Sequence, residues 1–197
     1  MLTIIGDVHG YYDKYLNISS KCESTVQVGD FGFNYEVLNG TDPDNHKILG
    51  GNHDNYAIIG DCPNYLGDYG VANVGGVEFF FVRGENSVDK NMRIEGRNWW
   101  REEELDMNTA YKAIEAYVSA KPEVVITHGC PADIMPFFIT NPSKQISPSR
   151  TSQMLDAMWN NHRPKLWVFG HHHNSQTLTV GDSVFRCLNE LETMNIS

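Results

Sequence analysis

A chain of 197 residues, 41% of them hydrophobic, carries enough apolar material for a substantial core and reads as one domain over 1–197. Its 15 basic and 25 acidic residues leave a net charge of -10, which repels polyanions at long range and argues against long nucleic acid as a partner. No apolar run approaches the length that spans a bilayer, and Met1 leads straight into Leu2-Thr3-Ile4-Ile5 without a basic start, so a soluble, cytoplasmic protein with no membrane partner is expected.

The first strand is expected over Leu2 to Ile5, followed by a short helix from Asp13 to Ser20. Strands follow at Thr25 to Val28 and Lys47 to Leu49; each apolar run is short, largely β-branched or aromatic, and ends in Gly, His or Asn. Val74-Gly75-Gly76-Val77 puts a two-residue glycine turn between apolar runs, a strong hairpin signal. The segment Gly84 to Met107 is polar and irregular, with Arg93, Arg97, Trp99, Trp100 and Arg101; the tryptophans either stack on a base or, as is expected first, stiffen it by packing inward.

A helix is expected over Asn108 to Ala120, with an apolar stripe of Tyr111, Ile114, Tyr117 and Val118 and Pro122 beyond its stop. Val124 to Thr127 reads as a strand, and Ile139 to Ser149 as an irregular stretch rich in Pro, Ser and Asn. A helix capped by Ser149 or Thr151 then carries Met154, Leu155, Met158 and Trp159 and ends before Pro164. Leu166 to Phe169 is a further strand, and Val180-Gly181-Asp182-Ser183 a second hairpin, so the sheets should be mixed. Cys22, Cys62, Cys130 and Cys187 form no CxxC pair and are expected to be reduced.

Five segments stand at the ends of such runs: Gly6-Asp7-Val8-His9-Gly10, Gly29-Asp30, Gly51-Asn52-His53-Asp54, Thr127-His128-Gly129 and Gly170-His171-His172-His173. Together they offer Asp7, His9, Asp30, Asn52, His128, His171 and His173, the oxygen and imidazole donors that suit a pair of divalent cations. Asp30 is the natural bridge, since a carboxylate has two oxygens and its charge relieves the repulsion between cations. Asp-x-His and His-x-His on an extended backbone project residues i and i+2 to one side, leaving His172 pointing away. The preceding glycines are expected to let the backbone turn sharply. Each residue alone also has an ordinary reading, as a cap, a turn residue or a core histidine, and the histidine triplet could be an exposed turn.

In these segments and their order the chain resembles the calcineurin-like metallophosphoesterase superfamily, and the match runs from Asp7 to His173. The resemblance implies a four-layer α/β/β/α sandwich with two mixed β-sheets. It implies one metal on Asp7, His9, Asp30 and His173, a second on Asp30, Asn52, His128 and His171, and His53 as catalytic histidine oriented by Asp54. An imidazole beside a ligand can protonate a leaving alkoxide, which supports the role given to His53. The function implied is hydrolysis of phosphate mono- or diesters by metal-activated hydroxide, with two divalent transition-metal ions, manganese first and iron or zinc next.

Asp30 is followed by Phe31-Gly32-Phe33-Asn34, without the arginine that protein serine/threonine phosphatases of the superfamily carry in Asp-Arg-Gly; the final histidine pair is more like the phosphodiesterase and nuclease branches. Arg83, Arg97 or Arg101 are the residues offered in place of that phosphate contact. The substrate is a phosphate ester of open class, whether small molecule, nucleotide or phosphoprotein. A protein phosphatase is one alternative, and a non-catalytic binding scaffold on the same fold another.

Overall fold

The computed structural model describes residues 1–139 and 147–197, so most of the irregular Ile139 to Ser149 stretch lies outside the described residues. The first sheet is built from β1 (Leu2–Ile5), β2 (Ser24–Gln27), β3 (His46–Ile48) and, from the far end of the sequence, β10 (Thr193–Ile196). Its order is β10-β1-β2-β3, with β1, β2 and β3 parallel and β10 antiparallel to β1. The second sheet contains β4 (Tyr69–Val74), β5 (Val77–Val82), β6 (Val124–Thr127), β7 (Leu166–Phe169), β8 (Gln176–Val180) and β9 (Ser183–Cys187) in the order β4-β5-β6-β7-β9-β8. Both sheets are mixed. β4–β5 and β8–β9 are antiparallel hairpins closed at the two glycine turns, and Gly75 and Gly76 both take the positive φ such a turn requires.

Period-two alternation sorts the strand side chains into layers. Leu2, Ile4, Val26 and Val28 meet Phe79, Phe81, Ile126 and Val168 between the two sheets. On the other face of the second sheet, Phe80, Val82, Val125, Trp167 and Phe169 pack under α2 (Met107–Ala120) and α3 (Arg150–Asn161). On the outer face of the first sheet, Ile5 and Ile48 lie with Tyr15 of α1 (Tyr12–Ser19) and with Phe31, Tyr35 and Leu38. The result is the expected α/β/β/α sandwich.

The face presented by α2 differs from expectation. Ala110, Ala113 and Tyr117 are buried, whereas Tyr111 is 63% and Val118 36% exposed. The helix turns its alanines inward and so lies close to the sheet and to α3, leaving the larger side chains on the rim. In α3 the expected residues Met154, Leu155, Met158 and Trp159 are all buried, and Ser149 is the cap, accepting from the Ser152 N–H.

A candidate two-metal centre

Seven donor residues converge where β1, β2, β3, β6 and β7 end, at the carboxyl edge of the parallel strands. Backbone bonds fix the loops to one another: the Val8 and His9 N–H groups donate to the Asp30 carbonyl, and the Gly170 N–H to that of His128. Glycines supply clearance. A Cβ at Gly51 would collide with the Asp30 carboxylate, and one at Gly170 with that of Asp7. Only Gly29 of the glycines before these ligands turns at positive φ, so the sharp turns expected at Gly6, Gly51 and Gly170 are not what those positions provide.

The turning is done by the donor residues themselves. His9 (φ 47), Asp30 (φ 56), His171 (φ 61) and His173 (φ 48) are all left-handed. Asp-x-His and His-x-His are therefore turns past the strand ends, not the extended segments that alternation suggested. His172 does point away: its ring lies 3.4 Å from the Cys130 sulfur.

Asp7, His9, Asp30 and His173 offer ligand atoms all within 4.8 Å of one another. The Nε2 atoms of His9 and His173 are 2.8 Å apart, and His173 Nε2 is 3.1 Å from Asp7 Oδ2. Asp30 Oδ2 faces this group, 3.7 Å from His9 Nε2. Its other oxygen, Oδ1, faces His128 Nε2 at 3.2 Å. Asn52 Oδ1 completes a second group, 3.0 Å from His128 Nε2 and 2.8 Å from His171 Nδ1.

The protonation pattern in the second group is readable. His128 Nδ1 can only donate to the Val28 carbonyl, so Nε2 of the neutral ring presents a lone pair. Asn52 Nδ2 donates to Ser87 Oγ, turning Oδ1 inward. Asp30 Oδ1 accepts from the His53 N–H at 2.7 Å. Three acceptors thus face one another across about hydrogen-bond distance, an arrangement that a cation satisfies and a proton satisfies only in part. In the first group the buried Asp7 Oδ1 has no hydrogen-bond partner among the described residues.

Electrostatics agree with that fit. Burial, with the charges of Asp7 and Asp54, pushes the Asp30 carboxyl well above its usual range. Burial also lowers His9 and His171 and brings His128 down to about 4, leaving imidazoles neutral as metal ligation requires. The donor set fits divalent-cation ligation, with the two oxygens of Asp30 turned to two groups of donors.

Asp54 does not orient His53. Its carboxylate accepts from the N–H groups of Phe31, Gly32 and Gly51 and from the Tyr35 hydroxyl, and among the described residues it makes no hydrogen bond to the His53 ring. It ties the loop after β2 to the loop after β3 and so sets Asp30 against Asn52. The ring of His53 is held instead by Arg93, whose two terminal nitrogens lie 2.8 and 3.2 Å from Nδ1 and Nε2. Burial first, then the Arg93 charge, bring His53 down to about 4.

The substitute arginines lie elsewhere. Arg83 is buried, bound to the Asp68 carboxylate and the Glu102 carbonyl and stacked over Tyr56. Arg101 pairs with Glu95 on the surface, and Arg97 is exposed. Arg93 is the arginine at the centre, aligned by both oxygens of Asp89. Nothing in its spacing marked it within a polar segment without periodicity. Glu190, 3.5 Å from His173 Nδ1, was equally without a signal. An open cleft of about 410 Å³ lies beside His9, His53 and Arg93, walled by Tyr12, Phe33 and Asn98. Trp100 is buried and packs edge-on against Phe33, supporting that wall.

Among solved structures, a phosphopantetheinyl hydrolase from Mycobacterium tuberculosis is similar over 96% of this chain and 89% of its own, with a TM-score of 0.51 and 12% identity. GAP50 of Plasmodium, described as the anchor in the inner membrane complex, is matched over 95% of this chain and 71% of its own, with a TM-score of 0.48 and 12% identity. A conserved protein from Streptococcus pneumoniae TIGR4, described as a predicted phosphoesterase, gives 0.38 and 13% identity over 95% of this chain and 72% of its own. No functionally curated protein matches. The model of the calcineurin-like phosphoesterase family matches residues 1–175, and the chain belongs to that family.

Proposed function

We propose that this chain hydrolyses phosphate monoesters or diesters at a centre that takes two divalent transition-metal ions, manganese first and iron or zinc as alternatives. The observation that carries the reading is the division of Asp30, one oxygen toward His9 and the other toward His128, with acceptor atoms gathered on each side. Asp7, His9, Asp30 and His173 would hold one ion, and Asp30, Asn52, His128 and His171 the other. Bound there, the ions supply Lewis-acid charge and an activated water.

Arg93 lines the cleft and is the cation a phosphoryl oxygen would meet there, in exchange for its contacts with His53 and the Asn98 carbonyl. His53 is the proton donor for the leaving oxygen. Burial and then Arg93 lower its pKa in the free protein, and the negative charge of the ester acts in the opposite sense. Phe33 and Tyr12 wall the space open to the leaving group.

The test is hydrolysis of p-nitrophenyl phosphate beside bis-p-nitrophenyl phosphate, with manganese added or chelated and His53→Ala as the comparison. Manganese-dependent turnover is expected, with the ratio of the two rates giving mono- or diester preference. His53→Ala should lose about 10²- to 10⁴-fold on substrates with poor leaving groups and least on nitrophenolate. No turnover of either ester by protein carrying both ions would bring the scaffold reading forward.

A further inference from the structure

We infer that Ser87 and Glu103 form a one-way hydrogen-bond relay that fixes which end of the Asn52 amide faces His128 and His171; this rests on the two-ion reading above. The two ends of an asparagine amide have nearly the same shape and opposite polarity. Turned one way, Asn52 offers an oxygen to a cation; turned the other, it sets two N–H donors against it.

The polarity is settled outside the centre. Ser87 Oγ lies 3.2 Å from Asn52 Nδ2 and 2.6 Å from Glu103 Oε2, while the Ser87 N–H donates to Glu103 Oε1 at 2.9 Å. A hydroxyl has one proton, and an ionised carboxylate only accepts. Once Ser87 gives its proton to Glu103, Oγ has only lone pairs for Asn52, which must answer with Nδ2 and turn Oδ1 inward. Ser87 and Glu103 are 1% and 2% exposed, so water does not compete for these groups. Burial pushes the Glu103 carboxyl above its usual range, and the Ser87 donors pull it back.

The segment from Gly84 to Met107 is built to keep this relay in place. The Gly84 N–H donates to the Gly50 carbonyl at 2.7 Å, two residues before Asn52. Gly84, at φ 86, also lies so close to the Glu103 carbonyl that a Cβ would collide with it. The start and end of the segment are therefore clasped together beside the second group of ligands. A stretch that reads in the sequence as polar and irregular acts as a brace.

Glu103→Gln is the decisive variant, because its amide can donate to Ser87 Oγ and free the serine proton to point at Asn52. Manganese binding to the metal-free protein would be followed by calorimetry, with thermal unfolding of the same samples. Native protein should bind two ions. Glu103→Gln should keep the metal-free melting temperature and bind one ion about 10- to 100-fold more weakly; Ser87→Ala should weaken the same ion and lower the melting temperature, since it leaves the buried Glu103 carboxylate short of a donor; and Ser87→Thr, which keeps the hydroxyl, should restore native binding. Native affinity for both ions in Glu103→Gln would overturn the relay, as would equal weakening of both ions or a lowered metal-free melting temperature in every variant. A native protein that binds no manganese would instead overturn the two-ion reading, and the relay with it.

Discussion

His53 and Arg93 meet in a contact that keeps a histidine ring from charging. Burial first, and then the guanidinium that approaches both ring nitrogens, bring the ring down to about 4. Arg93→Ala removes the positive neighbour but not the burial, which is the larger cause. The pKa of His53 in metal-free protein should therefore rise above 4 and stop short of its ordinary value of 6.5, as followed by NMR titration of the ring. An unchanged titration would mean that Arg93 does not hold the ring in solution. Asp54 carries the complementary lesson. It adjoins His53 in sequence, but the backbone turns between them, and the carboxylate serves the loop after β2. Adjacency in sequence marked it as a partner of the wrong residue.

Among the elements, α2 is held at its two ends by opposite kinds of residue. Asp106 caps the start, accepting from the N–H groups of Asn108 and Thr109. At the other end Lys121 is left-handed at φ 47, a conformation that glycine adopts without strain. Asp106→Ala should cost about 1 kcal/mol of stability and Lys121→Gly should add up to about 1 kcal/mol, both read from denaturant unfolding. A loss on Lys121→Gly would show that the side chain contributes more than the conformation costs. The elements themselves were legible because physical signals mark them: β-branched runs ending in Gly, His or Asn for the strands, and paired glycines for the hairpin at Gly75. The buried face of α2 was not, because alanine is a weak apolar signal beside Tyr111 and Val118. The donor types that gather at the strand ends could be read from five short segments. Arg93, Ser87 and Glu103 could not, since each owes its place to the path of an aperiodic segment.

For the molecule as a whole, donor residues drawn from five loops of both sheets would couple metal binding to the integrity of the sandwich. An ion that binds only the folded chain stabilises it by about 2.7 kcal/mol at a hundredfold excess over its dissociation constant. For a chain of this size that corresponds to a rise in melting temperature of about 5–10 °C. Asp30→Asn should abolish this manganese-dependent rise, since Asp30 faces both groups, while leaving metal-free protein as stable as native or more so. A manganese shift of native size in that variant would exclude Asp30 as the bridge.

The left-handed backbone at His9, Asp30, His171 and His173 carries a further consequence. Residues with a Cβ sit there at a cost of about 1 kcal/mol or more each, although Asp and His tolerate it better than most. Glycine would relieve that cost at every one of the four. The shortest evolutionary path to a sturdier version of this fold therefore runs through its own reactive centre, and drift toward stability would erase the chemistry before it disturbed the architecture.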